Sequence, residues 1–83
     1  MKVKFQKALN ELQSMGVPVI EGGWNGEDTF RISGEDNGDY LWADYYAMDY
    51  GDFGVNPEIT KVLDKFGLFA EWVNPGVLNV YNQ

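Results

Sequence analysis

The chain contains no cysteine and no histidine, and these two absences remove much of the usual chemistry. Without thiols there is neither a disulfide framework nor a thiolate metal site. Without imidazole the common zinc ligand sets are excluded, and so are the Ser-His-Asp and Cys-His nucleophile systems. Long apolar runs are also missing: no stretch approaches the roughly 18 residues that read as a membrane span. Met1 is followed by a charged amphipathic stretch, not by the apolar core of a signal peptide. A cytoplasmic protein that makes no membrane contact is therefore expected. Bases are scarce, six against thirteen acids, for a net charge of −7. Direct nucleic-acid binding needs a basic face and is not expected.

What is present suits one small domain over residues 1–83. A chain of this length buries only about 60–65% of its unfolded surface, so its stability is expected to be marginal. Apolar residues make up 45% of it and aromatics 16%, well outside the composition of disordered chains.

Two segments have the period of amphipathic helices. Phe5, Ala8, Leu9 and Leu12 fall at i, i+3, i+4 and i+7, Met15 extends the stripe, Gly16 suits the left-handed residue that ends a helix, and Pro18 blocks its resumption. Ile59, Val62, Leu63 and Phe66 repeat the spacing. Before them, Asn56 suits the N-cap, Pro57 the first helical position and Glu58 the positive end of the dipole. Neither helix is long enough to stand alone, so each must pack on something.

Strand patterns supply that surface. Val17 to Ile20 is β-branched and apolar. Thr29 to Ser33 alternates, with Phe30 and Ile32 on one side. Asn37-Gly38 is a hairpin signal, and Asp39 to Tyr45 reads as the partner strand, with Leu41 and Ala43 inward and Tyr40, Trp42 and Asp44 outward. Ala47 to Val55 reads as a loop. Leu68 to Val73 and Val77 to Tyr81 flank an Asn74-Pro75-Gly76 turn. The expected class is α+β, in the order α-β-β-β-α-β-β, with a mainly antiparallel sheet and two amphipathic helices on one face. Helix, glycine, short strand, turn and strand also occur twice, from residue 3 and from residue 57.

The charge is local. Glu21 to Asp52 holds nine acids and one base, Arg31, a net of −8. The lysines lie outside it, in the two helices. Trp24, Phe30, Tyr40, Trp42, Tyr45, Tyr46 and Tyr50 are interleaved with the acids. Acid-rich turns are common solvated features, but −8 within 32 residues carries a self-repulsion that a few scattered lysines would relieve. Nothing in the segment assembles a reaction. Gly22-Gly23-Trp24-Asn25-Gly26 lacks the Lys-Ser/Thr ending of a P-loop, and no carboxylate pair is singled out for glycoside hydrolysis. Asp44, Asp49 and Asp52, or Glu35, Asp36 and Asp39, could offer oxygen ligands to calcium, though neither set follows EF-hand spacing. The segment therefore reads as a binding face, with no cofactor and no catalysis.

In size, in its acidic segment and in the aromatics set among the acids, the chain resembles small acidic proteins of phages and mobile elements. These include anti-CRISPR and anti-restriction inhibitors, several of which mimic DNA. The resemblance implies an inhibitor that occupies the basic groove of a nucleic-acid-binding complex. Asp28, Glu35, Asp36, Asp39, Asp44, Asp49 and Asp52 would stand in for phosphates there, and Tyr40, Trp42 and Tyr46 would be the anchors. The alternatives are a non-enzymatic interaction module that binds through exposed Tyr and Trp, and a small calcium-binding domain.

Overall fold

Each helix ends and begins where its residues allow. In the computed structural model, which describes residues 1–35 and 38–83, α1 spans Val3–Met15 and stops at Gly16, whose φ of 97° is left-handed. Gly16 N–H and Val17 N–H then close on the carbonyls of Gln13 and Leu12, satisfying acceptors that the last turn leaves open. Helix α2 spans Pro57–Lys65, and the Asn56 side chain accepts the Glu58 N–H at 2.9 Å. Phe5, Ala8, Leu9 and Leu12 of α1 and Ile59, Val62 and Leu63 of α2 are buried.

The strands are β1 Val19–Glu21, β2 Phe30–Ser33, β3 Leu68–Asn74 and β4 Val77–Asn82. They form one antiparallel sheet in the order β1-β2-β4-β3. The chain is thus two αββ units in succession, whose second strands lie side by side at the sheet centre and whose first strands form its edges. Register places Ile32 beside Leu78, and Trp72 pairs with Leu78 from the other side. Phe30, Ile32, Leu68, Leu78 and Val80 join both helix stripes in one buried cluster, so both helices cover the same face. Complete burial of each such side chain contributes about 1.5–3 kcal/mol, and this burial is what holds two short helices in place. On the opposite face a turn at Trp24–Gly26 lies against the sheet. Trp24 N–H donates to Asn79 Oδ1 at 2.8 Å, and Arg31 Nε–H donates to the Gly22 carbonyl at 2.9 Å.

The α+β class, the antiparallel sheet and the two helices on one face follow the residue patterns, but the order has one strand fewer. Asp39 to Tyr45 is not a strand. The reason is positional: β2 already has β1 on one side and β4 on the other, so no edge of β2 remains for a hairpin partner. Of the expected Asn37-Gly38 turn, Asn37 lies outside the described residues. The chain folds back on itself instead. Ala43 bridges Val55, Asp44 N–H donates to the Gly54 carbonyl at 2.7 Å, and Asn56 N–H donates to the Trp42 carbonyl at 2.8 Å. Residues 43 to 55 form a compact loop with joined ends, the pattern of an Ω-loop. The alternation changes accordingly. Trp42 and Ala43 are buried while Leu41 is exposed, which corrects the expectation that Trp42 faces outward.

Glycine is obligatory where this loop closes. Gly54 has φ +84°, and a Cβ there would sit 2.2 Å from the Asp44 carbonyl oxygen. Gly26 also has positive φ, +78°, but a Cβ would meet open space. Gly54→Ala is therefore expected to destabilise the protein by about 2 kcal/mol or more, and Gly26→Ala by about 1 kcal/mol. Urea unfolding of the two variants checks the difference.

Candidate binding site

The loop from Tyr40 to Asn56 concentrates apolar surface that the core does not use. Tyr40, Leu41, Tyr46, Met48 and Phe53 are all exposed. Their positions are set by the loop's own hydrogen bonds. Tyr50 N–H donates to the Ala47 carbonyl and Ala47 N–H to the Asp44 carbonyl, which makes two successive turns. The Asp44 carboxylate accepts the Tyr46 N–H at 3.0 Å, a local turn-forming bond typical of aspartate. Tyr50 Oη donates to the Leu41 carbonyl at 3.1 Å and ties the middle of the loop to its beginning.

The closing end of the loop is a tight hairpin. Asp52 and Val55 exchange N–H···O=C bonds of 3.0 and 3.2 Å. The two residues between them, Phe53 and Gly54, have φ +56° and +84°. Positive φ at both central positions is the mark of a type I′ turn, whose first central residue is preferentially Asn, Asp or Gly. A bulky side chain there is a genuine outlier that costs roughly 1–2 kcal/mol. Phe53 is nevertheless 77% exposed, so core packing does not compensate for that strain. The Trp72 indole N–H donates to the Phe53 carbonyl at 2.8 Å and fixes the turn against β3. Trp72 is itself edge-on to Tyr45, which is edge-on to Tyr46, with ring centroids 5.7 and 5.4 Å apart. Tyr46 is 81% exposed. An aromatic chain thus runs from the half-buried Trp72 to an exposed ring.

The expected site residues do not all come together. Glu35, Asp39, Asp49 and Asp52 lie in or before this loop and are exposed. None of them forms an ion pair with a described residue. Tyr40 and Tyr46 share the same end of the molecule. Asp44 belongs to the loop too, but it is half-buried and occupied in the turn. Trp42 is 6% exposed and supports the site from beneath, its ring 4.4 Å from that of Tyr40. Asp28 is elsewhere: it precedes β2, whereas the loop follows it, and its carboxylate pairs with the Met1 amino group at 3.1 Å. Asp36 lies outside the described residues. Among the described residues no three carboxylates come close enough to share a metal ion, so Asp44, Asp49 and Asp52 do not converge as calcium ligands.

Two participants are absent from the sequence-based expectation. Glu58, in the first turn of α2, accepts a hydrogen bond from Tyr40 Oη at 2.6 Å. That bond holds the phenol above its ordinary ionisation range, because the phenolate would face a carboxylate; a hydrogen bond from Asn56 offsets it in part. Phe53 is the other. Its signal is the Asp52-Phe53-Gly54 string, which has the outline of a two-residue turn with an aromatic where a small polar residue belongs.

Replacing Phe53 by a residue suited to left-handed φ isolates the strain. Phe53→Asn is expected to stabilise the protein by about 1 kcal/mol, measured as a higher urea midpoint with an unchanged slope. No protein-family model, curated protein or solved structure matches the chain.

Proposed function

We propose that this protein acts by binding another protein, with no chemistry of its own, and that it binds through the loop between β2 and α2. Phe53 and Tyr46 are the anchors. Glu35, Asp39, Asp49 and Asp52 around them select a basic surface. The observation that carries this reading is Phe53, an aromatic kept in a strained backbone conformation while exposed to water. Strain that nothing in the packing compensates is a pointer to function, and exposed aromatics are the side chains that serve as interface hot spots. Carboxylates that make no ion pair with the described residues add steering and partner choice more than raw affinity.

The partner class that the charge favours is a nucleic-acid-binding protein. A groove that neutralises closely spaced phosphates derives much of its affinity from electrostatics, and an end of this molecule with four exposed carboxylates would compete for it. On this reading the protein is an inhibitor of the anti-CRISPR or anti-restriction kind. The absence of a strand over Asp39 to Tyr45 alters the form of the mimicry. The acids are presented on turns around two aromatic rings, not as an evenly spaced row. The second reading, a plain interaction module with no nucleic-acid competitor, draws on the same aromatics and differs in its response to salt.

The test uses restriction and CRISPR nuclease complexes, with inhibition measured at about 50 and 200 mM salt. Glu35→Lys/Asp49→Lys/Asp52→Lys is expected to abolish inhibition, and Tyr46→Ala/Phe53→Asn to weaken it at least tenfold, with both variants folded. Wild-type inhibition should fall steeply across the salt range. If the triple reversal still inhibits, occupation of a basic groove is wrong. If the aromatic variant binds as tightly as wild type, the anchors are wrong.

A further inference from the structure

Strand β3 is an edge of the sheet, with β4 on one side and, among the described residues, no strand on the other. In an antiparallel pair, directly opposed residues alternate between hydrogen-bonded and non-bonded. Gln83 N–H donates to the Gly67 carbonyl at 3.0 Å, and this sets the phase: Phe69–Tyr81 and Glu71–Asn79 are the bonded pairs. Leu68, Ala70 and Trp72 therefore turn their main-chain N–H and C=O groups away from β4. The Leu68 carbonyl is taken by the Gln83 side chain at 2.7 Å. The outward groups of Ala70 and Trp72 meet no main-chain partner among the described residues.

Sheet edges of this kind are normally blunted by lysine, proline or a bulge, because they invite another strand. The bulge of β3 comes late, between Trp72 and Asn74, and the strand Leu-Phe-Ala-Glu-Trp-Val-Asn contains neither lysine nor proline. The opposite edge, β1, is three residues long, and Val19 N–H is already turned onto the Val17 carbonyl at 2.8 Å. The long open edge is β3.

Two adjoining hollows of about 110 and 270 Å³ lie along it. Phe53, Val55 and Ala70 line both, and Leu63 and Leu78 add apolar floor. The smaller hollow exceeds the roughly 30 Å³ share of a water several times, enough for an aliphatic side chain. The charged residues around them are Asp52, Asp64 and Glu71, and no basic side chain lines either hollow. Free donors and acceptors on a strand, beside pockets for alternate side chains, are the elements of recognition by strand addition.

We propose that β3 receives an extended segment of a partner protein as a fifth strand. The main chain of that segment pairs with Ala70 and Trp72. Its alternate apolar side chains enter the two hollows beside Asp52 and Asp64, and the basic residues between them, turned to the opposite face of the sheet, meet Glu71. A second copy of this chain is the wrong occupant, since pairing β3 with β3 would bring the same three acids of each copy together. The inference rests on the proposed function only for the sign of the partner's charge and adds the form in which that partner is held.

The probe is a short peptide of alternating valine and lysine, followed by amide NMR of the whole protein. The expected result is slowed hydrogen exchange at Ala70 and Trp72 N–H, with weaker binding of a valine–glutamate peptide. Methylating the peptide nitrogens that face β3 removes hydrogen bonds without touching the protein and should weaken binding about tenfold. Ala70→Pro should do the same from the protein side, since its N–H serves no internal bond. If the methylated peptide binds equally well, or the lysine peptide leaves Ala70 and Trp72 unprotected, strand addition is overturned. Shifts confined to Tyr46 and Phe53 would overturn it too, while leaving the loop as a binding site. A concentration-dependent dimer that protects the same amides would replace the partner with a second copy.

Discussion

Asn56 is 4% exposed and uses every polar group it has. Its N–H donates to the Trp42 carbonyl, and its own carbonyl accepts the Ile59 N–H. Its side-chain oxygen caps α2 by accepting the Glu58 N–H, and its side-chain nitrogen donates to the Leu41 carbonyl at 3.1 Å. The same residue therefore starts the second helix and closes the loop that precedes it. A buried amide so fully bonded is costly to disturb, because each group left unpaired loses about 1–3 kcal/mol. Trp42, Ala43 and Val55 enter the core on either side of this closure, so loop and core are one construction.

That closure explains how a strained residue persists beside it. Phe53 can be held at positive φ only because both ends of its turn are fixed: Asp52 and Val55 bond each other, and Trp72 holds the Phe53 carbonyl from β3. Gly54 lies so near the Asp44 carbonyl that no other residue fits. The loop has little freedom to relax the phenylalanine into an ordinary conformation, and in consequence its ring is presented in a defined place. Pre-organisation of this kind reduces the ordering cost of association. The exposed acids of this loop make no ion pair with a described lysine, since the lysines lie on or just before α1 and on α2; one of them, Lys65, is already paired with Glu11 at 2.6 Å.

How much of this was legible beforehand depended on where local chemistry and packing agreed. The helices were readable because stripe, cap and stop coincide: Phe5 to Leu12 before Gly16, and Asn56-Pro57 before Ile59. The four strands were readable from β-branched runs and the Asn74-Pro75-Gly76 turn. Asp39 to Tyr45 was misread because its alternation satisfies a strand equally well, and only the sheet order shows that β2 has no side left. Burial of Trp42 in place of Leu41 follows from the same fold-back. The acidic segment is one stretch of chain, but chain proximity puts Asp28 with acids from which β2 separates it. Phe53 was overlooked because an exposed, strained residue leaves no periodic trace.

The closed loop is the feature on which the aromatic anchors, the acid end and the hollows beside β3 all depend. Native-state hydrogen exchange measures it directly. The account predicts that the N–H groups of Asp44 and Asn56, which bond across the loop's base to the carbonyls of Gly54 and Trp42, exchange only by opening close to global unfolding. Amides of the same loop that make no such bonds should exchange far faster. If Asp44 and Asn56 exchange as quickly as those, the loop is not closed on the core, and Phe53 is not a presented anchor.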